Sequence, residues 1–461
     1  MAQLSDEKLS DSGVDPGAAE LSPPAAYVPK DGGWRAWSTL IGGCATFAAT
    51  MGYANAFGVY QDRYTRAGIS ASGASWIGST QLFLLIAMGL PAGKLIDMGY
   101  FRITMLTGSV IYVCSLLALS FAKQDQYYQL FLAQGLGMGI GGGLLYVPAM
   151  GVQAYHWRKR RPMAVGVVLV GASIGGIIFP IVLNRMLATS SFPFAVRASM
   201  FIVIGLLGAA NALMSSPNPT AVRKGDLPMK AIMRDISYWF LTLGTLAVLS
   251  GVFFPYFYLQ LYSILQGVDS DTAFYCLAVM NAASIPGRIG PNLLVNKLGV
   301  FNILIPFCTL CGVLVFALFG VSNAGGMFAF AAVYGFVSGA FLSLISFAMA
   351  SSARHESEIG VRLGVAYSIA ALGALVGNPI DGVLLGQGFT WVRPIVFTSI
   401  MILGGTFFHW SRSSFDFAYE RDCICMTVSS SLLVCICCGV KPLEEHSLGF
   451  EWIFHNCSRL A

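Results

Sequence analysis

The chain has 461 residues, of which 56% are hydrophobic and only 11% charged, and its mean hydropathy is +0.69. A soluble domain carries about 25% charged residues, so a soluble globule is excluded, a soluble enzyme with it, and lipid is the solvent this surface fits. The net charge of +5 is scattered over short loops instead of gathered into a basic patch, which excludes nucleic acid as a partner.

Residues 1–30 are polar and rich in Ser, Asp, Pro and Ala. They lack a charged start followed by an apolar run and a cleavage site, so a disordered cytoplasmic tail is expected there and not a removable leader. Apolar segments then recur at 37–60, 74–95, 103–122, 128–150, 163–187 and 197–214. After the polar stretch 215–236 they resume at 238–260, 273–295, 300–321, 326–350, 364–386 and 392–410. A membrane helix needs about 20 apolar residues, and only helices suit spans of this length because lipid offers the backbone no partner. The expected fold is therefore an all-α membrane protein with twelve transmembrane helices in two six-helix bundles. Its expected parts are the tail 1–30, an N-terminal bundle 31–214, a cytoplasmic linker 215–236, a C-terminal bundle 237–410 and an atypical Cys-rich tail 411–461. The 52 glycines suit such a chain, since small residues let membrane helices approach closely. With both termini inside, Lys and Arg favour the cytoplasmic loops by roughly two to one.

An internal repeat is faintly visible. The second and eighth segments both end in a glycine- or proline-marked helix end, a polar residue and a glycine turn, at Gly93–Arg102 and Pro291–Gly299. The fifth and eleventh both start at an arginine, Arg161 and Arg362, and reach a proline near paired glycines, at Gly175, Gly176 and Pro180, and at Gly373, Gly377 and Pro379. Such echoes fit two related six-helix halves.

The stretch Gly93–Arg102 resembles the loop signature between helices two and three of the major facilitator superfamily. Asp31-Gly32-Gly33-Trp34-Arg35-Ala36-Trp37 resembles the signature of the monocarboxylate porter family within it, in the form of fungal members. So do Gly52–Gln61 and the run Arg158-Lys159-Arg160-Arg161-Pro162 leading to Gly171-Ala172-Ser173-Ile174-Gly175-Gly176. The resemblance covers about 31–410. It implies a secondary-active or facilitative carrier that works by alternating access, with Asp97, Arg102, Arg158 and Arg161 as candidate gating charges. It also exposes departures. Proton-linked relatives carry a lysine in helix one where Asn55 stands, an acid where Ser284 stands and another where Asn296 stands, while the arginine of helix eight is retained as Arg288. The resemblance permits a carboxylate or a secondary metabolite as substrate.

Arg288 lies well inside the eighth segment, where an unpaired arginine costs about 2.5–3.5 kcal/mol. It either anchors an anionic substrate, or snorkels to the inner interface or braces the helix 8–9 loop. Asp381, with Asn378 three residues before it, is either a titrating proton site or a residue near the outer mouth, and its distance along the helix favours the mouth. Tyr53, Asn55 and Asn281 fall near mid-span. Tyr146, Phe253, Phe254, Tyr256 and Tyr367 supply aromatic wall for a bulky solute. The candidate substrate contacts are Tyr53, Asn55, Tyr146, Asn281, Arg288, Tyr367 and Asn378.

Other motifs carry little chemistry. The glycine run 135–143 has no preceding strand and fits helix packing, not a nucleotide. No phosphate-binding loop, metal pair or catalytic triad is legible, so no cofactor or metal is expected and the protein is not expected to be an enzyme. The eleven cysteines form no recognisable disulfide framework. The tail 411–461 does not resemble the family, and nothing upstream requires it. The expected partners are a small-molecule substrate and the lipid bilayer, and no oligomeric state is legible. A receptor that kept the carrier fold without turnover is the alternative function. The plasma membrane is the default location and the vacuolar membrane the alternative.

Overall fold

A computed structural model of the chain describes residues 31–216, 232–353, 359–386, 388 and 390–428. The expectations for the tail 1–30, for residues 217–231 of the linker, for residues 429–461 and for the side chain of Asp97 lie outside the described residues.

Among the described residues no strand occurs, and the backbone forms twelve helical segments. They are α1 (34–66), α2 (71–97), α3 (Phe101–Phe121), α4 (Tyr127–Tyr155), α5 (Arg161–Thr189) and α6 (Phe192–Leu213), followed by α7 (Ile236–Leu265), α8 (Ser270–Leu298), α9 (Val300–Gly320), α10 (Ala324–Ser351), α11 (Ile359–Leu385) and α12 (Val392–Val428). Ten of these are long and apolar enough to cross a membrane. The other two are α1, interrupted at Asn55–Ala56, and α8, which carries Asn281, Ser284, Arg288, Asn292 and Asn296. Several helices start before the apolar stretch because capping sets their ends. Ser70 accepts from the amide of Gly73, Asp235 from that of Tyr238 and Asn323 from that of Gly326 at 2.7 Å. α12, expected to stop at 410, is helical to Val428. The chain divides into two compact units, Met1–Ser413 and Ser414–Ala461, and all twelve helices belong to the first except for the end of α12.

The internal repeat reappears in how helices touch. In the first half α1 lies against α5 so closely that a Cβ at Gly175 would sit 2.3 Å from the Ala48 carbonyl oxygen. In the second half α7 lies against α11 in the same way, a Cβ at Gly377 falling 2.1 Å from the Ser250 carbonyl oxygen. The pair α2 and α4 meets at Gly143, 2.5 Å from the Leu84 oxygen, and its counterpart α8 and α10 meets at Gly335, 2.1 Å from the Met280 oxygen. Lipid supplies no hydrophobic drive between helices, so close backbone packing carries their association. The helices that begin the halves break alike, α1 at Asn55–Ala56 and α7 over 250–253. Gly99 and Gly299 turn the chain after α2 and α8 with φ of 88° and 81°, a conformation that favours glycine.

This packing sets a stability test. Gly377→Leu forces α7 and α11 apart at a backbone contact, and overpacking of this kind costs about 1–3 kcal/mol or more. Gly205→Leu meets no atom within 4 Å of the new Cβ. Thermal unfolding followed by fluorescence-detected size exclusion is expected to show a Tm lower by several degrees for the first variant and unchanged for the second.

Candidate functional site

A cavity lies between the two halves. Met51, Ile86, Tyr146 and Leu169 line it from α1, α2, α4 and α5, and Thr245, Leu249, Phe253, Arg288, Leu342, Ile345, Ser346 and Tyr367 line it from α7, α8, α10 and α11. Its wall is mostly apolar, with Arg288 as its one charge. The space that the centre of a water molecule can reach there is about 30 Å³, far short of the roughly 300–1,000 Å³ of an organic-ligand site.

Arg288 is buried, and its Nε donates to Ser173 Oγ on α5 at 3.0 Å. Ser173 in turn meets Ser284 Oγ at 2.6 Å, and Ser284 donates to the Asn281 carbonyl at 2.7 Å. No carboxylate among the described residues forms an ion pair with Arg288. It therefore does not snorkel to the inner interface. It stands in the wall of the cavity, its fixed fork of donors held by one serine. Across the same void the Tyr367 hydroxyl donates to Ser346 Oγ at 2.6 Å, and Tyr146 meets the Tyr367 ring edge-on at 6.0 Å between centroids.

The other candidates lie elsewhere. Asn55 and Asn281 face each other one layer outward, Asn55 Nδ2 lying 3.5 Å from Asn281 Oδ1 and 3.4 Å from the Ala172 carbonyl. Gly176 makes the room, since a Cβ there would lie 2.6 Å from Asn281 Oδ1. Tyr53 does not reach the cavity. It is 1% exposed inside the first half, bonded to Tyr60 and to Ser199 Oγ at 2.9 Å and packed on Phe179. Asn378 lines a separate closed void on the outer side with Phe57, Gln61, Ser75, Ser79, Phe257 and Tyr258. Asp381, favoured for the outer mouth, lies one turn from that outer void but is 0% exposed, packed between helices with Thr398 as hydrogen-bond donor at 3.1 Å.

The charges proposed as gates also separate. Arg102 is exposed on the first turn of α3, and Arg161 is half-buried at the start of α5. Asp31, of the Asp-Gly-Gly-Trp stretch, accepts backbone N–H groups from Arg158 at 2.7 Å, Lys159 at 2.9 Å and Arg160 at 3.3 Å. The two sequence signatures are thus one structural unit. From the other half, Asn296 Nδ2 donates to the Lys159 carbonyl at 2.9 Å, so the 158–160 loop touches both halves through its backbone.

Sequence reasoning missed the partners Ser173 and Ser346 and the role of Asp31. It also missed a signal that was present. Asn281, Ser284, Arg288, Asn292 and Asn296 recur every three or four residues and form a polar stripe on one face of α8.

Residues 42–378 match the family model of the Major Facilitator Superfamily. The MFS-type transporter pynF of Aspergillus niger is 36% identical over 82% of this chain and 88% of its own length. The aspyridones efflux protein apdF of Emericella nidulans is 34% identical over 88% and 82%, and the agnestins efflux protein AgnL12 of Paecilomyces divaricatus 32% over 86% and 89%. Among solved structures, the FucP transporter in its outward conformation aligns with a TM-score of 0.60 at 15% identity, over 81% of this chain and 98% of that one. The human organic anion transporter MFSD10 aligns at 0.64 with 14% identity over the same shares. At such identities these structures speak to the fold alone. None of these similarities supports the receptor alternative.

The Asp31 clamp can be tested. Burial works to raise the Asp31 carboxyl, but the amides of Lys159, Arg158 and Arg160 and the Lys159 charge outweigh it and hold the group below its ordinary 3.8. A depressed carboxylate adds stability that is present above its unfolded pKa, hence at neutral pH, and that is lost as pH falls through the folded value. Asp31 is exposed, so solvent screening holds the loss of this carboxylate to about 0.5–1 kcal/mol. Asp31→Ala is therefore expected to expose the loop, with trypsin cleaving after 158–160 roughly 2- to 5-fold faster at neutral pH. An unchanged digestion rate contradicts the clamp.

Proposed function

Because the chain belongs to the Major Facilitator Superfamily and is a multi-pass membrane transporter of a small molecule, we propose that it exports a bulky organic anion, a carboxylate-bearing secondary metabolite, through the cavity between its halves. The observation that carries the reading is Arg288: a buried guanidinium in the wall of an otherwise apolar cavity, with no carboxylate partner among the described residues. A cation in that position is stabilised by an anion arriving from water, and its fork of donors suits a carboxylate. Tyr146 and Tyr367 flank it and offer faces for a ring system. The relatives named as efflux proteins for aspyridones and agnestins support the outward direction of transport. The Asp31–Trp37 signature supports placing the chain in the monocarboxylate porter branch, while Asn55, Ser284 and Asn296 depart from that branch's proton-linked members.

Transport requires the closed form to open on one side at a time. On the outer side Phe57 meets Phe257 at 6.3 Å and Arg185 donates to Tyr275 at 3.4 Å. On the inner side Asn296 holds Lys159, Ser368 donates to the Ala87 carbonyl at 2.7 Å, and Gly364 seats against Leu90. Hydrogen bonds between membrane helices average about 0.6 kcal/mol each, so a few at one end can break while the other end holds. In this reading the inner gate is the 158–160 loop with Asn296, bounded by the charges of Arg158 and Arg161. The two six-helix halves, 31–214 and 237–410, move as the rocking bodies, and the protein works in the plasma membrane.

Flux into proteoliposomes of a panel of labelled aromatic polyketide carboxylates and their methyl esters tests this. A hydrogen bond to a charged group contributes about 1.5–3 kcal/mol, so Arg288→Ala is expected to raise KM for the acids about 10- to 150-fold, with Arg288→Lys intermediate and the esters unaffected. Equal loss for acids and esters, or no loss, overturns the anion-anchor reading.

A further inference from the structure

Asp381 on α11 is the only buried carboxyl among the described residues. One oxygen receives Thr398 Oγ1 of α12 at 3.1 Å, and the other has no hydrogen-bond partner. The facing groups are Thr398 and, from α7, Tyr258, whose hydroxyl donates to the Asn378 carbonyl at 3.0 Å and lies 3.0 Å from where a Cβ of Gly382 would stand. No Lys, Arg or His among the described residues pairs with it. Arg393 is exposed at the outer end of α12, and His409 and Arg412 lie roughly 16 and 21 Å further along that helix from Thr398. A carboxylate with no counter-charge and one hydroxyl is far costlier in such a place than the neutral acid.

The position is also tied to the movement between halves. Asn378, one turn before Asp381, and Tyr258 line the closed outer void together with Phe57, Gln61, Ser75 and Ser79 of the first half. No water-sized sphere fits there while the halves are in contact. Separation of Phe57 from Phe257 lets water in beside Asn378 and Tyr258, one turn from the acid.

We propose that Asp381 is a proton-binding site outside the solute cavity, holding its proton when the outer contact is closed and exchanging it with outside water when that contact opens. The O–H bond breaks at the carboxyl and the proton passes to water, and the reverse step reseals the site. By linkage, raising the pH then favours the outward-open form. Proton binding at this position is independent of which solute the central cavity takes.

The test needs no substrate. In lipid nanodiscs, infrared spectra at neutral pH are expected to show a protonated-carboxyl band that Asp381→Asn removes. Modification of Gln61→Cys by a membrane-impermeant maleimide, corrected for the protein without that cysteine and divided at each pH by the rate for the same cysteine in the unfolded chain, which removes the thiol's own ionisation, is expected to quicken severalfold from neutral to alkaline pH. The rise should vanish in Asp381→Asn and persist in Arg288→Ala, which separates this proposal from the anion-anchor reading. If Asp381→Asn does not fold, Thr398→Val keeps the acid and removes its one donor. The midpoint should then move up by about one pH unit, the equivalent of one hydrogen bond to a charged group. A band that survives Asp381→Asn, a pH dependence shared by that variant and its parent, or an unmoved midpoint in Thr398→Val overturns the proposal.

Discussion

The contact of α5 with α8 joins the two halves along most of the depth of the membrane, and its chemistry follows from lipid's inability to hydrogen-bond. Each polar side chain of the α8 stripe therefore has at least one partner in the protein. Asn281 finds Asn55, Ser284 finds Ser173, Arg288 finds the same serine, Asn292 donates to Ser343 at 2.7 Å, and Asn296 reaches the Lys159 carbonyl. α5 answers with small residues. A Cβ at Gly166 would strike the Arg288 carbonyl at 2.4 Å, so only glycine lets the helices close at that level. The interface is polar enough to fix register and made of bonds weak enough to part.

Within each half the constraint is different. Packing is dominated by backbone-to-backbone approach at glycines, which leaves little freedom for α1 to slide on α5 or α7 on α11. Rigid halves joined by a separable seam are the mechanical requirement for rocking. The central cavity lies on that seam. Its size in the closed form follows from the aromatic and aliphatic side chains of both halves meeting over Arg288.

Three of the buried charges among the described residues fall into two kinds. Arg362 on α11 pairs with Asp235 at the start of α7 at 2.9 Å and lies over the Tyr238 ring at 5.4 Å, so its charge is answered inside its own half and braces two helices. Arg288 and Asp381 have no such answer among the described residues, and each stands beside a void where the halves meet, one central and one outer. That difference separates structural ion pairs from groups available to a moving ligand.

The sequence by itself determined the all-helical fold of twelve spans and the turn glycines Gly99 and Gly299, because apolar length and a positive φ are local properties. It also held the polar stripe of α8, since helical spacing fixes which residues share a face. It could not say what that face meets. Tyr53 and Tyr146 are both tyrosines within expected spans, yet one is sealed inside the first half and the other reaches the cavity. Asp381 lies late enough in its helix to read as a mouth residue, yet α12 covers it. Asp31 and the 158–160 loop are more than a hundred residues apart and meet only when the bundle forms. Depth in a membrane can be counted along one helix, but the side a residue faces depends on which other helices pack around it, and that was decided only by the tertiary structure.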